Sequence, residues 1–219
     1  MKKWLEKVDW IYVIVPLALL GTFWVIAAFT GQWPWQSNPY NSYALQTDSW
    51  LKGRLDLGQD YPWLELAIYQ GKYFVSFPPF PSYVLIPFVM IFGTNTPDHL
   101  IALLVTIAGC VYAIKLYREV SLEKQHALFW VLMLYFASGY LFVGMNGYVW
   151  FIAQSMSFTL SLMALYYALR QKGGLSLAFW ACAVGCRPML ALYGILLGYL
   201  LVKGYKKENP EGTVWQLVK

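Results

Sequence analysis

Charged residues are scarce in this sequence of 219 residues, because Asp, Glu, Lys and Arg together make up 12% of it. A soluble domain carries about 25% charged residues, whereas 59% of this chain is hydrophobic. Several segments are nearly free of charge over the length that a helix needs to cross a bilayer. We therefore expect an all-α polytopic membrane protein in which residues 1–219 form a single transmembrane domain.

Histidine and cysteine are also rare, with two and three residues respectively. Cys110, Cys182 and Cys186 lie within apolar segments, where a free thiol behaves as a small packing residue. They imply neither a disulfide framework nor a zinc site. His99 and His126 are interpreted as interfacial residues without a role. The sequence "DLGQD" is no convincing metal motif, so no cofactor is predicted and a divalent ion has no motif to support it.

The apolar segments predict six membrane spans: 10–30, 99–117, 127–145, 149–169, 174–188 and 189–203. Basic residues favour the cytoplasmic side of a membrane protein, so the net charge of +5 does not indicate nucleic-acid binding. The basic clusters are Lys2/Lys3/Lys7, Lys115/Arg118/Lys124, Arg170/Lys172 and Lys203/Lys206/Lys207. Six spans place all four clusters in the cytoplasm, together with the N-terminus.

The short apolar run 81–93 is a candidate seventh span. A crossing there would invert every later basic cluster, and about 13 residues give only about 20 Å of helix against a core of about 30 Å. We predict a re-entrant or interfacial element, the alternative being a short tilted span buried among other helices. In the former case residues 31 to about 98 form one large outer loop.

The outer loop begins with a predicted helix over residues 38–52. Ser37 or Asn38 is the candidate N-cap, Pro39 suits the first turn, and Gly53 is the candidate C-cap. One face of this helix is mostly apolar and comprises Tyr40, Tyr43, Ala44, Thr47 and Leu51. The helix either lies in the membrane surface with this face down or packs on the helix bundle.

A hairpin and a rigid turn complete the outer loop. The segments "LELAIY" and "KYFVSF" alternate on either side of Gln70-Gly71, which predicts a β-hairpin with a tight turn. The sequence "FPPFP" lacks backbone donors and predicts a rigid turn, from which Pro81 begins the short helix 81–93.

Several segments, in this order, resemble the GT-C glycosyltransferases, the polytopic superfamily that includes the protein mannosyltransferases and the aminoarabinose transferases. The segments are "WLKGRLDL", "LELAIYQGKYFVSFPPFPS", "GYVWFIAQSMSFTLSLMAL" and "GCRPML". The resemblance covers about residues 5 to 205 and corresponds to the N-terminal transmembrane part of such enzymes. No single motif is specific; their order and spacing carry the resemblance.

The resemblance implies transfer of a sugar from a polyprenyl-phosphate-linked donor to an unidentified acceptor at the outer face of a bacterial cell membrane. The donor's lipid tail would lie between the helices, and an outer-loop carboxylate would act on the acceptor hydroxyl. Two features depart from the family pattern. The usual acidic pair after the first helix is replaced by Asn38 and Asn41, and family enzymes are usually longer.

The catalytic candidates are carboxylates of the outer loop: Glu65, Asp60, Asp56 and Asp48. A general base must be ionised and held beside the acceptor, and partial burial can adjust its pKa. The resemblance adds weight to Glu65 because it places an acid just before "GKYF". The alternative is that these acids are solvated or are partners of nearby basic residues.

The binding candidates are headed by Arg187, which stands between two apolar runs where a charge is costly. A guanidinium can hold the donor phosphate through two parallel hydrogen bonds, and Lys72 could assist it. Asn146, Trp150 and Gln154 are candidates to line the donor pocket. The alternatives are an arginine that reaches the headgroups and polar groups that join helices.

Three functions are compatible with these sequence features. The first is the GT-C-like transferase, and the second is a non-catalytic subunit of that architecture. Such a subunit would bind or flip a lipid-linked sugar, or complete a split enzyme with a second membrane chain. A small transporter or channel is the weakest hypothesis, because few ionisable residues stand near the middle of the later spans.

Overall fold

The computed structural model describes residues 9–211 and, for Lys124, the backbone alone. The protein is mostly helical, with 71% helix and 4% strand. The helices are α1 (Ile11–Thr30), α2 (Ser42–Leu51), α3 (Phe80–Phe92), α4 (Asp98–Val120), α5 (Ala127–Phe136), α6 (Tyr140–Met145), α7 (Val149–Leu169), α8 (Gly173–Cys186) and α9 (Tyr193–Glu208). Strands β1 (Leu66–Tyr69) and β2 (Lys72–Val75) form the only sheet in the described part of the chain.

Four helical stretches of the described chain are long and apolar enough to cross a membrane: α1, α4, α7 and the stretch Pro188–Glu208, which contains α9. They coincide with four of the six predicted spans. Helix α7 packs against α4 and α8, and α1 packs against α4. We call the end of the bundle that carries residues 31–97 the loop end. The basic cluster Lys2/Lys3/Lys7, used to orient the spans, lies outside the described residues.

The predicted span 127–145 is not one continuous helix but is divided into α5 and α6. At the break, the Ser138 hydroxyl donates to the carbonyl of Leu134 and accepts from the backbone N–H of Tyr140. A serine that binds neighbouring backbone groups competes with the helix, and Gly139 adds conformational freedom. The prediction of a single helix was therefore wrong in this segment.

The predicted span 174–188 contains a helix of only 14 residues, α8, and this helix falls short of the length of a typical span. It ends where Arg187 adopts an extended conformation, as residues before proline favour. Pro188 then opens a 3-10 turn, Pro188–Leu192, that leads into α9.

The loop helix α2 begins at Ser42, with Asn41 in the N-cap position, rather than after Ser37 or Asn38. The Asn38 side chain instead accepts a hydrogen bond from the backbone N–H of Tyr40, which forms a turn. Tyr43, Ala44 and Thr47 are buried on α2. The mostly apolar face therefore packs on protein, which is the second of the two predicted alternatives.

The predicted element 81–93 corresponds to α3, a helix of 13 residues that contacts α2 at both of its ends. Near its start, the Ser82 hydroxyl donates to the Gln46 side chain at 2.7 Å. Just beyond its end, the Asn41 amide donates to the carbonyl of Thr94 at 2.9 Å. These two contacts place α3 alongside α2. The re-entrant or interfacial interpretation of residues 81–93 stays a prediction.

We expect a cysteine at position 95 to react from the loop side of the membrane. Asn95 is exposed just after α3, whereas Cys110 and Cys186 are buried and the partly exposed Cys182 lies within the apolar helix α8. Asn95→Cys should therefore be labelled in intact cells by an impermeant thiol reagent, and the unsubstituted chain should not. Labelling of Asn95→Cys only after permeabilisation would show that residues 81–93 cross the membrane.

The hairpin is found where the sequence predicts it. Strands β1 and β2 pair antiparallel, and Tyr69 faces Lys72 across the turn. Both turn residues, Gln70 and Gly71, have positive φ, as a two-residue turn that follows the twist of the strands requires. The backbone N–H of Leu57 donates to the carbonyl of Tyr73 and fixes the hairpin to the preceding loop.

An ion pair between Arg118 and Asp9 joins α4 to the residues before α1 at the end opposite the loop. The Arg118 guanidinium hydrogen-bonds both carboxylate oxygens of Asp9 and, despite some desolvation, lowers the pKa of that group. The two residues are part-exposed, so the pair contributes little stability in water.

Candidate functional site

Arg187 lies at the loop end, between the end of α8 and the start of α7. Its Nη2 donates to the backbone carbonyl of Trp150 at 2.8 Å. Its Nε is buried and has no hydrogen-bond partner in the part of the chain that the structure describes. None of the ion pairs found within residues 9–211 includes Arg187. Within residues 9–211, Arg187 is therefore a partly buried cation without a counter-charge, which is costly unless a ligand supplies one.

Two of the segments quoted for the resemblance pack directly against each other at Arg187. A Cβ atom at Gly185, in "GCRPML", would lie 2.9 Å from Cβ of Phe80, in "FPPFP". The absence of a side chain therefore lets the proline turn rest on α8. The Trp150 carbonyl that accepts from Arg187 belongs to a third segment, "GYVWF".

Aromatic rings surround this junction. Phe77 lies edge-on to Trp150, with ring centroids 6.2 Å apart, and to Tyr43 at 6.4 Å. Tyr40 lies 6.1 Å from Trp150. Tyr43 is close enough to Arg187 for the cation to favour its phenolate, but burial outweighs this and raises the pKa of Tyr43. Tyr43 therefore remains a neutral hydroxyl at neutral pH. The aromatic side chains around Arg187 are uncharged, and their only polar groups are the tyrosine hydroxyls and the indole N–H of Trp150.

A second polar cluster joins α4 to the loop and contains Asp98 and His99. Asp98 is 2% exposed, and its carboxylate accepts from the Asn38 amide at 2.8 Å. The same amide donates to the carbonyl of Gly147 at 3.1 Å, and the Gly147 N–H donates to Nδ1 of His99 at 3.2 Å. These bonds hold together the loop, α4 and the α6–α7 junction.

Sequence reasoning missed this cluster, because it treated His99 as interfacial and gave Asp98 no function. The available signal was the charge at the first residue of an apolar helix, where an ionisable group usually has a partner. Asn38 was noted as a candidate N-cap and for replacing a carboxylate, whereas the structure shows its amide donating to one.

The four catalytic candidates occupy different environments on the loop. Asp48, on α2, forms an ion pair of 2.6 Å with Lys52. Asp56 is partly exposed, and Asp60 and Glu65 are exposed. Glu65 directly precedes β1, and its backbone carbonyl accepts from Ser76. None of the four forms an ion pair with Arg187 within the described residues.

A cavity of about 450 Å³ gathers polar groups of the loop, including Asp48, Arg54 and Tyr61. Gly58 closes one side of it with a positive φ of 76°. A side chain at Gly58 would collide with the Arg54 guanidinium, so glycine lets Arg54 lie against the backbone. Of the predicted catalytic residues, Asp48 is the one that lines this cavity.

The remaining binding candidates are separated from one another. Lys72 is exposed at the start of β2, and Gln154 is exposed on α7. Trp150 contacts Arg187 through its carbonyl. Asn146 follows α6 and lines a different cavity, between α1 and α6. The described residues contain no group of three or more His, Cys, Asp or Glu side chains arranged to hold a metal ion.

No protein-family model, curated protein or solved structure matches this chain.

Proposed function

We propose that the protein is a GT-C-like membrane glycosyltransferase that moves a sugar from a polyprenyl-phosphate-linked donor to an acceptor at the outer membrane face. The observation that carries this proposal is the uncompensated Arg187 guanidinium at the loop end. Its Nε is buried without a partner among the described residues, its Nη2 donates to Trp150 of "GYVWF", and "FPPFP" packs against the nearby Gly185.

A phosphate group suits this guanidinium on both charge and geometry. Arginine presents parallel N–H donors that match two phosphate oxygens, and such charge-assisted bonds are about twice as strong as neutral ones. Neutral aromatic side chains around Arg187 supply no competing anion, and they lower the local polarity. An anionic ligand would thus supply the counter-charge that Arg187 lacks among the described residues.

In the proposed reaction, the acceptor oxygen forms a bond to the anomeric carbon while the bond from that carbon to the donor phosphate breaks. The leaving group is polyprenyl phosphate, and Arg187 stabilises its developing charge. A loop carboxylate accepts the acceptor proton, for which Glu65 and Asp60 are exposed and available. Asp48 serves less well as a base because Lys52 already holds its carboxylate.

A non-catalytic subunit that binds or flips a lipid-linked sugar is the second candidate. It is favoured by Asn38, an amide at the place where family enzymes carry an acid and already bonded to Asp98. This candidate shares the lipid-phosphate site but omits the transfer step.

The two candidates differ in whether the bound donor is consumed. Membranes containing the wild-type chain are incubated with radiolabelled polyprenyl-phosphate sugars, and both donor binding and transfer to acceptors are measured. Transfer above that of membranes without the chain supports the transferase. Binding without transfer to any acceptor supports the non-catalytic subunit, and absence of binding contradicts both.

If Glu65 is the base, Glu65→Gln is expected to lower transfer about 100-fold while donor binding is unchanged, since general-base catalysis contributes about 10²- to 10⁴-fold. The glutamine is isosteric and uncharged, and Glu65 is exposed, so folding is unaffected. Asp60→Asn tests the other exposed acid in the same assay, and Glu123→Gln, at the opposite end of the bundle, is the matched control. Full transfer by both loop variants would exclude these two residues as the base.

A further inference from the structure

A cavity of about 400 Å³ lies between α1 and α6 at the loop end, apart from Arg187. Its walls are mainly apolar, and its polar members are Thr30, Gln32, His99 and Asn146. The break between α5 and α6 shapes one wall, because α6 is a separate short helix that supplies Leu141, Phe142 and Met145. The short helix α6 therefore forms the wall that faces α1.

Asn146 presents an unmet hydrogen-bonding requirement at this cavity. Its Oδ1 is buried without a partner, and no side-chain amide hydrogen bond of Asn146 is found in the described structure. A buried amide without a partner costs about 1 to 3 kcal/mol. A ligand hydroxyl can bond to the amide atom that faces the cavity in either orientation of the amide, because a hydroxyl both donates and accepts.

The cavity carries no charge to hold an ion. None of its lining residues is Asp, Glu, Lys or Arg. The Nδ1 atom of His99 accepts from the backbone N–H of Gly147, which places the ring proton on Nε2 and leaves the imidazole neutral. A phosphate or carboxylate bound here would be an unpaired charge in an apolar site. The ligand is therefore uncharged.

We infer that this cavity binds a neutral, single-chain lipid that carries a hydroxyl group, with the hydroxyl on the Asn146 amide and the chain against α1 and α6. A hydroxyl both donates and accepts, as the Asn146 amide requires. The exposed side chains of Ile26 and Phe142 at the rim, 37% and 63% exposed, mark where the chain leaves toward the bilayer. This inference is independent of the proposed sugar transfer.

The test uses the full chain in phospholipid nanodiscs and a photoreactive long-chain alcohol, with labelled peptides mapped by mass spectrometry. We expect labelling on α1 and α6 that excess alcohol prevents but equal amounts of fatty acid or phosphatidylglycerol do not. Asn146→Leu should reduce labelling about fivefold, which corresponds to one hydrogen bond of about 1 kcal/mol. Ala27→Phe, which fills the cavity, should abolish it.

Two further variants keep the result interpretable. Ile26→Trp obstructs the rim from an exposed position, so it lowers labelling even if Ala27→Phe fails to fold. Gln125→Leu removes an exposed amide elsewhere and should label as the wild type does. Equal protection by phosphatidylglycerol, or unchanged labelling of Asn146→Leu, would mean that the cavity is an ordinary lipid-facing groove. Protection by a polyprenyl-phosphate sugar would assign it to the donor instead, and each of these results overturns the inference.

Discussion

Replacing Arg187 with alanine is expected to weaken binding of a polyprenyl-phosphate sugar about 100-fold. Truncating one member of a buried, hydrogen-bonded charge pair costs about 2 to 5 kcal/mol, and about 1.4 kcal/mol corresponds to tenfold. In the free protein the guanidinium has one hydrogen bond, to the Trp150 carbonyl, and no carboxylate within the described chain. Most of the N–H donors of the guanidinium, and its charge, therefore remain available to bind a ligand. Equilibrium binding of radiolabelled donor to purified protein measures the loss.

Arg187→Lys separates charge from geometry, because lysine keeps the charge but lacks the paired donors of the guanidinium. We expect an intermediate loss of about tenfold for this variant, since a single point charge replaces two parallel bonds. Arg170→Ala is the matched control. It removes an arginine whose Nη1 lies 3.6 Å from a carboxylate oxygen of Glu119, and this pair is remote from the loop end. Wild-type affinity in Arg187→Ala would refute the assigned phosphate site and, with it, the proposed function.

Gly147→Ala is expected to be the most destabilising single-methyl change at the loop end. A Cβ atom at Gly147 would lie 2.5 Å from the backbone carbon of Asp98 and 2.5 Å from the backbone nitrogen of His99. Backbone cannot move aside as a flexible side chain can, so α4 and the α6–α7 junction would have to separate. Overpacking typically costs about 1 to 3 kcal/mol, and we expect the upper part of that range.

Thermal unfolding of the purified variant in detergent measures this effect, and a decrease in Tm on the order of 10 °C is expected for a chain of this size. Separation would also break the hydrogen bonds of Gly147 with Asn38 and His99. Gly139→Ala is the matched control, because a Cβ atom there has no neighbour within 4 Å. A Tm of Gly147→Ala equal to that of Gly139→Ala would show that the close approach does not exist in solution.

Local sequence signals predicted the elements whose geometry short-range chemistry dictates. The Gln70-Gly71 pair produced the hairpin turn because its backbone adopts positive φ, and alternation on both sides set the strands. The proline turn begins α3 close to Pro81, and hydropathy located the four long apolar stretches. Each of these elements depends on residues close together in the chain, so the spacing of residue types is enough to predict it.

Segments in which two local preferences compete were predicted less well. The run 127–145 is apolar enough for a span, yet Ser138 and Gly139 divide it through backbone hydrogen bonds that hydropathy does not register. The start of α2 shifted to Ser42 because the Asn38 side chain is used in contacts with Asp98 and Gly147. Those partners are 60 and 109 residues away along the chain, beyond any local pattern.

The candidate site shows the same division. Arg187 was recognisable in the sequence, since a charge between two apolar runs requires a partner. Its lack of a counter-ion among residues 9–211 was not recognisable, because that depends on which side chains the folded helices bring near it. Among the four loop acids, only the resemblance added weight to Glu65 at the level of sequence, whereas the structure pairs Asp48 with Lys52 and leaves Glu65 and Asp60 exposed.

By itself, the sequence determined that this is a helical membrane protein with a polar loop, a hairpin and one conspicuous arginine. Composition and spacing suffice for that, because burial in lipid and turn geometry act on neighbouring residues. Only the tertiary structure decided that Asn38 bonds to Asp98, that α3 rests on α2, and that Asn146 lines a cavity apart from Arg187. These contacts join segments that are distant in the sequence. Gly147 and Gly185, which have no side chain, allow the backbone to approach Asp98 and Phe80 closely.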